Sequence, residues 1–310
     1  MNRDPSARLD GPLGFCLAPV GFLFGKLTRM RAAAYRRGWL KSHRPPMPTL
    51  SIGNLSAGGT GKTPLLFDLL QRLKSASLRA GVLSRGYGGD EGRILEERHP
   101  EVLLAEDPDR VRALQQFLLE DPPELLILDD GFQHLRLLRD LDVVLLDGLR
   151  PFGRCFPAGF FREPRAALRR ADLVVVTRTD LAGRETVEAV WREVEAVRRG
   201  LPPLPRVEGT VVVRDLRNLR TGEVRPASAL QDMPALVAAG IGNPRSFEQL
   251  CLRAGVEVLE ARFPGDHHAW TEADQKDWDR FPNVLVTEKD GVKLRDAVSS
   301  RVWEVRVDWS

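Results

Sequence analysis

A glycine-rich turn between an apolar run and a helical pattern constrains the fold of this chain more than any other feature. Residues 49–54 predict a short buried strand, and residues 56–63 read Ser-Ala-Gly-Gly-Thr-Gly-Lys-Thr before a series of leucines at helical spacing. Glycines let backbone N–H groups converge on an anion, and the N-terminus of the following helix adds positive potential. The pattern therefore predicts a phosphate-binding loop in an α/β sheet.

The chemistry of such a loop assigns roles to individual residues. We expect Lys62 to reach the outer phosphates of a nucleotide and Thr63 to ligate Mg²⁺. The residues expected to bind the nucleotide are Ser56, Ala57, Gly58, Gly59, Thr60, Gly61, Lys62 and Thr63. The loop departs once from the G-x-x-x-x-G-K-[ST] pattern, because Ser56 stands where the first glycine is usual. The glycines that follow supply the flexibility, so a nucleotide site is still predicted.

Acidic residues follow two further predicted strands. The run Leu-Leu-Ile-Leu at 125–128 is typical of a strand buried on both faces, and it ends at Asp129 and Asp130. After a phosphate loop, an acid in this position is expected to hold Mg²⁺, and either aspartate could be the direct ligand. A glycine-dense turn places Asp90 and Glu91 after another strand, where α/β sheets carry their chemistry; a solvated acidic turn is the alternative.

Apolar runs alternate with helical patterns in both halves of the chain, which predicts two α/β domains, each built on a parallel sheet. The Gly- and Pro-rich stretch at 200–205 is the clearest linker. Within the second half, we expect a strand at 207–214 and a hairpin turn at 219–224. The predicted organisation is an amphipathic, membrane-associating segment over 1–45, a P-loop NTPase-like parallel-sheet domain over 46–200 and a smaller α/β domain over 201–310.

The N-terminal segment predicts contact with a membrane surface. The chain carries a net charge of +3, but residues 1–50 contain nine Lys/Arg against two Asp. One side of a helix would carry Val20, Leu23, Phe24, Leu27, Met30 and Ala34. The fifteen uncharged residues at 11–25 are fewer than the ~20 that span a bilayer, so we expect a helix lying in the membrane surface. Packing of this apolar face on its own domain is the alternative.

Composition argues against several other classes of protein. A nucleic-acid partner is not expected, because the excess basic charge lies at one end of the chain instead of over a face with interleaved aromatic residues. The three cysteines are scattered and form no C-x-x-C pair, so neither disulfides nor a cysteine zinc site is predicted.

A series of motifs, all in order, resembles one family. The motifs are Gly-Asn-Leu-Ser-Ala-Gly-Gly-Thr-Gly-Lys-Thr-Pro (53–64), Ser-Arg-Gly-Tyr-Gly-Gly (84–89), Asp-Asp-Gly-Phe-Gln-His (129–134), Pro-Ala-Gly (157–159) followed by Arg-Glu-Pro (162–164), Ala-Gly-Ile-Gly-Asn-Pro (239–244), Phe-Pro-Gly-Asp-His-His (263–268) and Thr-Glu-Lys-Asp (287–290). From about residue 13 to 307 the chain is similar to the tetraacyldisaccharide 4'-kinases. The resemblance implies ATP-dependent phosphorylation of the 4'-hydroxyl of a tetraacylated glucosamine disaccharide 1-phosphate, at the cytoplasmic face of the bacterial inner membrane.

The resemblance also implies roles for residues at matching positions. Asp90 matches the catalytic aspartate of the family's Gly-Asp-Glu motif, and His267 is similar to the histidine paired with it. The implied metal ligands are Thr63, Asp129, Asp130 and Glu163, and the implied substrate-binding residues are Tyr87, Gln133, His134 and Arg162. Gly89 is the last residue of Ser-Arg-Gly-Tyr-Gly-Gly and also the first residue of Gly-Asp-Glu, so these two motifs are fused in this chain. The implied cofactors are ATP and Mg²⁺, the partners are the acylated lipid and an anionic membrane surface, and a monomer is expected.

Two other functions stay open on the residues alone. Thr-Arg-Thr-Asp at 177–180 resembles the guanine-selecting [NT]-K-x-D turn, with Arg in place of Lys, and would suit a GTP-driven switch at a membrane. A P-loop kinase for a soluble metabolite is the second alternative, although the basic amphipathic N-terminus argues against it.

Overall fold

The computed structural model describes residues 12–86, 89–120, 122–266, 268–294 and 299–310, and their side chains except at 12, 13 and 120. The helices are α1 (Pro12–Cys16), α2 (Ala18–Arg36), α3 (Lys62–Ser75), α4 (Asp90–Arg98), α5 (Arg110–Glu120), α6 (Thr179–Ala182), α7 (Arg184–Val197), α8 (Pro244–Arg253), α9 (Glu272–Trp278) and α10 (Glu288–Leu294). The strands are β1 (Thr49–Asn54), β2 (Ala80–Ser84), β3 (Leu103–Glu106), β4 (Leu125–Asp129), β5 (Leu141–Asp147), β6 (Leu173–Thr177), β7 (Arg206–Gly209), β8 (Val211–Asn218), β9 (Val224–Pro226), β10 (Pro234–Ala238), β11 (Glu257–Arg262), β12 (Val284–Thr287) and β13 (Val302–Trp309). Short 3₁₀ helices cover Arg165–Arg170 and Ala227–Leu230.

The chain divides into two compact units. The first consists of Met1–Gly86 and Glu101–Thr210, and the second consists of Tyr87–Pro100 and Val211–Ser310. Helix α4 therefore belongs to the second unit, although its sequence lies between two strands of the first. Asp90, the first residue of α4, is carried by the second unit with it.

The first unit is built on a seven-stranded sheet in the order β3-β2-β4-β1-β5-β6-β7, and all of its strand pairs are parallel. This confirms the predicted P-loop NTPase-like sheet. In the apolar run of β4, Leu126, Ile127 and Leu128 are fully buried, as expected for a strand covered on both faces. Because β1 and β4 are parallel neighbours, their carboxyl ends meet at one edge, and the glycine loop after β1 lies beside the acids after β4.

The second unit contains a six-stranded sheet in the order β11-β10-β12-β13-β8-β9. An all-parallel sheet was the wrong expectation here, since β8 pairs antiparallel with both β13 and β9. For the β8–β9 pair the physical reason is the tight turn at Gly222 (φ 74°), because only antiparallel strands can be joined in this way. The hairpin predicted at 219–224 is thereby confirmed.

The single strand expected at 207–214 is in fact two strands. β7 pairs parallel with β6 in the first unit, whereas β8 belongs to the sheet of the second unit. The chain passes from one unit to the other after Thr210, within a run of residues whose composition is uniformly typical of a strand. Residue composition alone therefore could not predict where β7 ends and β8 begins.

The predicted N-terminal helix is present as α2, which packs on the first unit through its glycines. A Cβ atom built on Gly21 would lie 2.7 Å from the backbone oxygen of Cys155 and 2.8 Å from Cβ of Ala158, so no side chain fits there. Gly25 is buried in the same way, next to Cys155 and Pro164. In the part of the chain that the structure describes, no helix combines the length and the apolar character needed to cross a bilayer.

Candidate nucleotide and phosphoryl-transfer site

The loop after β1 has the backbone conformation that its glycines permit. Gly58 (φ 134°) and Gly61 (φ 88°) are both in the region that side chains disfavour. Lys62 begins α3 directly after Gly61, and Thr63 follows it, so the backbone N–H groups of the loop and of the helix N-terminus lie together. This is the arrangement that the sequence predicts for a phosphate site.

Asn54, the last residue of β1, stabilises this loop through hydrogen bonds from its side-chain amide. Its Nδ2 atom donates hydrogen bonds to Oγ1 of Thr60, at 3.0 Å, and to the backbone oxygen of Gly58, at 3.3 Å. Both Asn54 and Thr60 are buried. The sequence analysis did not single out Asn54, although an asparagine at the end of a buried strand, where a polar side chain requires a partner, was an available signal.

A strand-like contact explains why Ser56 can replace the first glycine. The segment 160–162 runs antiparallel to the start of the loop, with a bridge between Phe161 and Ser56. The backbone N–H of Arg162 donates to the oxygen of Leu55 at 2.7 Å, and a second bond of 2.7 Å joins Ala57 N–H to the oxygen of Phe160. Ser56 has no positive φ, so nothing in this backbone requires a glycine. The same pairing brings Arg162 to the loop.

Lys62, Asp130 and Arg162 meet at the mouth of the loop. The carboxylate of Asp130 lies 3.3 Å from Nζ of Lys62 and accepts a 2.5 Å hydrogen bond from Nη1 of Arg162. Burial alone would raise the pKa of Asp130, but the charges of Lys62 and Arg162 outweigh it, and the pKa lies below its usual value. Asp130 is also one of the few described non-glycine residues with positive φ, at 51°. Three residues predicted from distant motifs are thus brought together.

Asp129, which directly precedes Asp130, is the last residue of β4 and is buried. Its backbone oxygen accepts a hydrogen bond of 3.3 Å from Nη2 of Arg110. Burial lowers the pKa of Arg110, while the charges of Asp129 and Asp130 act in the opposite direction. Strand β1 approaches this turn so closely that a Cβ on Gly53 would lie 2.6 Å from Cβ of Phe132.

Glu163 is buried in an ion pair within the first unit. Its two carboxylate oxygens accept hydrogen bonds of 2.9 Å from Nη1 and Nη2 of Arg170, whose guanidinium lies 4.3 Å from the centre of the Phe132 ring. Nε2 of Gln133 donates to Glu163, at 3.2 Å, and to the backbone oxygen of Asn54, at 3.0 Å. Glu163 and Gln133 therefore lie next to the loop, linked to it through Asn54. The metal-ligand role of Glu163 stays a prediction.

His134 follows in the same turn. Burial, together with the nearby charges of Arg110 and Arg136, lowers its pKa to about 4. The imidazole is therefore neutral at pH 7. Among the described residues, its Nε2 atom is buried and has no hydrogen-bond partner.

The turn that resembles a guanine-reading motif contacts the phosphate loop itself. Arg178 has a positive φ of 56°, and its Nη2 donates a 2.6 Å hydrogen bond to the backbone oxygen of Gly59. Its Nη1 lies 2.5 Å from Oδ2 of Asp147 at the end of β5. Asp180, which would read guanine in such a turn, accepts a 2.6 Å hydrogen bond from the hydroxyl of Thr210. The sequence analysis considered Arg178 only as part of this turn and did not foresee its contact with the loop.

The second unit carries the predicted catalytic carboxylate. Asp90 begins α4 directly after Gly89 (φ 68°) and is buried, with its Oδ2 atom 2.9 Å from Nζ of Lys293. A carboxylate at the first position of a helix is favoured by the helix dipole. His267 and Tyr87, the other residues expected in this part of the site, lie outside the described residues.

The first unit defines a P-loop nucleotide-binding protein: a glycine loop between a parallel strand and a helix, a lysine at the helix start, and acids after the neighbouring strand. The family model described as tetraacyldisaccharide-1-P 4'-kinase (LpxK) matches residues 13–91 and 88–310, and the chain belongs to this family. This confirms the resemblance drawn from the motifs.

Similar proteins support the same assignment over most of the chain. The tetraacyldisaccharide 4'-kinase of Geobacter sulfurreducens is 37% identical, over 91% of this chain and 84% of its own length. That of Syntrophotalea carbinolica is 34% identical, over 94% of this chain and 86% of its own length. Among solved structures, LpxK from Aquifex aeolicus in complex with ATP superposes with a TM-score of 0.75 at 28% identity, covering 96% of this chain and 95% of that one.

Proposed function

We propose that this chain is a tetraacyldisaccharide 4'-kinase, which transfers the γ-phosphoryl group of ATP to the 4'-hydroxyl of a tetraacylated glucosamine disaccharide 1-phosphate. The product is lipid IV-A, an intermediate of lipid A biosynthesis. The observation that carries the proposal is the meeting of Lys62, Asp130 and Arg162 at a glycine loop, in a chain whose relatives carry this name. The ATP complex of the Aquifex protein supports ATP as the phosphoryl donor.

Phosphoryl transfer depends mainly on positioning and on neutralising the negative charge of the transferred group. In the proposed site the loop N–H groups hold the phosphates, with Lys62 on the outer ones. Asp130 holds the two cations Lys62 and Arg162 close to the loop. Binding of a triphosphate would give both cations a more highly charged partner, and they would then stabilise charge on the γ-phosphoryl oxygens.

The side chains at the loop fit Mg²⁺. In the residues that the structure describes, no three His, Cys, Asp or Glu side chains are grouped so as to hold a metal by themselves. Mg²⁺, however, is usually held by one or two carboxylates together with phosphate oxygens and water. Oδ1 of Asp130 is buried and has no hydrogen-bond partner in this part of the chain, although Lys62 lies 3.3 Å away. Thr63, Asp129 and Asp130 would hold the ion, which would neutralise phosphate charge, and Glu163 would join them only by leaving Arg170.

A sugar hydroxyl is a poor nucleophile at neutral pH, and a positioned base speeds such a reaction by about 10²–10⁴-fold. We assign this role to Asp90, a buried carboxylate at a helix start. His267 is proposed to share or orient its proton. Arg162, Gln133, His134 and Tyr87 are proposed to bind the acceptor, for which the neutral imidazole of His134 offers a hydrogen bond without a charge.

Association with an anionic membrane surface would deliver the acylated acceptor. Helix α2 packs on the first unit through Gly21, Gly25 and the partly buried Phe24, whereas Val20, Phe22, Leu23, Leu27 and Met30 are all more than half exposed. Lys26 and Arg29 lie between them on the same helix. An apolar face flanked by cations is typical of a helix that lies in a membrane surface. We therefore propose a peripheral protein at the cytoplasmic face of the inner membrane.

The activity is tested by transfer of labelled phosphate from ATP to the disaccharide 1-phosphate in detergent micelles. We expect label at the 4'-position with the wild type and strong loss of turnover with Lys62→Ala and with Asp90→Asn. The two variants should differ in one respect: Asp90→Asn should bind ATP as the wild type does, whereas Lys62→Ala should bind it more weakly. Transfer to a soluble sugar in preference to the lipid, or a preference for GTP, would favour one of the alternatives and refute the proposal.

Membrane association is tested with sedimentation of the protein on phosphatidylglycerol vesicles. Leu27→Glu should reduce binding, because it places a charge on the apolar face of α2. Leu252→Glu on α8 is the matched control, since Leu252 is exposed to a similar extent, 51% against 54% for Leu27. Equal vesicle binding by both variants would contradict the assignment of α2 as the membrane contact.

A further inference from the structure

Helix α4, which carries Asp90, is held within the second unit by polar side-chain contacts to α10. Arg98 lies 3.2 Å from Glu288, Glu91 pairs with Lys289, and Asp90 lies 2.9 Å from Lys293. The pairs follow one another in opposite order along the two helices. Residues of α10, in the C-terminal part of the sequence, therefore fix the position of the proposed catalytic carboxylate.

The pair between Asp90 and Lys293 is the more shielded of the two that involve lysines. The side chains of Lys293 and Asp90 are 18% and 11% exposed, whereas those of Lys289 and Glu91 are 34% and 38% exposed. Water competes weakly for a shielded pair, so the ammonium group restricts the orientation of the carboxylate more strongly. Lys289 and Lys293 thus both contact α4, and the contact described for Lys293 is with the proposed base.

Lys293 also acts on a second buried carboxylate. Asp290, on the same helix, accepts hydrogen bonds from Oγ1 of Thr287, at 2.6 Å, from Nε1 of Trp270, at 2.8 Å, and from the N–H of Gly240. Burial raises the pKa of Asp290, and the charge of Lys293 is among the influences that oppose this shift. Asp290 is thus held on several sides, and it lies close enough to Lys293 for the two side chains to interact electrostatically.

We propose that Lys293 is a positioning residue for phosphoryl transfer, which holds the Asp90 carboxylate in the orientation that accepts the proton of the acceptor hydroxyl. This inference rests on the proposed function, in which Asp90 is the base. As the new O–P bond forms, the O–P bond to the ADP leaving group breaks, and the proton of the hydroxyl passes to Asp90. Lys293 keeps its protons throughout and acts only through Asp90.

The test compares Lys293→Met, Lys293→Arg, Lys289→Met and Asp90→Asn in the full-length chain. A misplaced catalytic group costs about 10²-fold in rate, so Lys293→Met should lower kcat by about that factor with the Kd for ATP unchanged. Lys293→Arg, which keeps the charge, should restore much of the activity. Lys289→Met removes an ion pair between the same two helices and should stay within about threefold of the wild-type kcat, because a partly exposed ion pair contributes little.

A double variant separates an effect through Asp90 from a general loss of structure. If Lys293 acts through Asp90, then Lys293→Met should cause no further loss of kcat in the Asp90→Asn background. A full additional loss there, a kcat for Lys293→Met equal to that of Lys289→Met, or no rescue by Lys293→Arg would each overturn the proposal. If Lys293→Met does not fold, Lys293→Gln, which keeps a donor without the charge, serves the same comparison. Wild-type turnover in Asp90→Asn would instead refute the base assignment on which the inference rests.

Discussion

Replacement of Asn54 by alanine tests whether the phosphate loop is held in its binding conformation before ATP arrives. The change removes the two hydrogen bonds from Nδ2 to Thr60 and Gly58. The oxygen of Gly58 lies on an exposed residue and can turn to water, so its loss costs little. Thr60 is only 3% exposed, and leaving a buried hydroxyl group unsatisfied costs about 1–3 kcal/mol.

We therefore expect a loss of about 2 kcal/mol for the binding conformation of the loop, which corresponds to about 30-fold weaker ATP binding. The loop would take other conformations in the free protein, and ATP would have to restore the original one. The measurement is the Kd for ATP by isothermal titration calorimetry, with urea unfolding of the same samples.

Asn218→Ala is the matched control in the second unit. Asn218 is also buried, its Nδ2 donates a 2.7 Å hydrogen bond to the oxygen of Ser300, and its Oδ1 accepts from two backbone N–H groups in the β8–β9 turn. We expect it to lower the urea midpoint without changing the Kd for ATP. If Asn54→Ala behaves in the same way, with lower stability and unchanged ATP affinity, the argument for a pre-formed loop is refuted.

Three further predictions concern the loop and the second unit. Arg178→Gln removes the contacts with Gly59 and Asp147, so the KM for ATP should rise about tenfold (about 1.4 kcal/mol) at constant kcat. The measurement is the reaction rate as a function of ATP concentration. An unchanged KM would mean that the loop is fixed without Arg178. Gly59→Ala should leave the urea midpoint unchanged but weaken ATP binding. Gly59 has no positive φ, and within the described residues no atom lies within 4 Å of a Cβ built on it, so an approaching phosphate would meet the added methyl group. Burial raises the pKa of Glu288 to about 7 from its usual 4.5, so the folded state keeps a proton that the unfolded chain releases. The free energy of unfolding, measured by urea titration, should therefore fall as the pH rises from about 5 to above 7. Glu288→Gln should flatten this pH dependence.

The fold of the first unit could be predicted because its signals are local in the sequence. A strand buried on both faces requires a continuous apolar run, and β4 has one. A loop that approaches phosphate closely requires glycines before a helix, and residues 58–61 supply three. The second sheet was less predictable, since the direction of β8 depends on which strand it pairs with and not on its own composition.

Apart from Asn54, the site residues that the sequence analysis missed act through contacts between distant segments. Arg178 contacts the loop residue Gly59, which lies 119 positions earlier in the chain. Arg170 neutralises Glu163, and Lys293 pairs with Asp90 across about two hundred positions. Arginine and lysine are common on surfaces, so their types alone gave no reason to select these three from the 46 basic residues of the chain.

The exception at Ser56 shows how such distant contacts change what a motif requires. A first glycine is needed when the loop must turn sharply there, but in this chain residues 55–57 are paired with the backbone of residues 160–162. The sharp turns occur later, at Gly58 and Gly61, and Asn54 holds the enclosed segment through its amide. The same pairing places Arg162 beside Lys62 and Asp130, so the contact that makes the glycine dispensable also supplies the second cation of the proposed site.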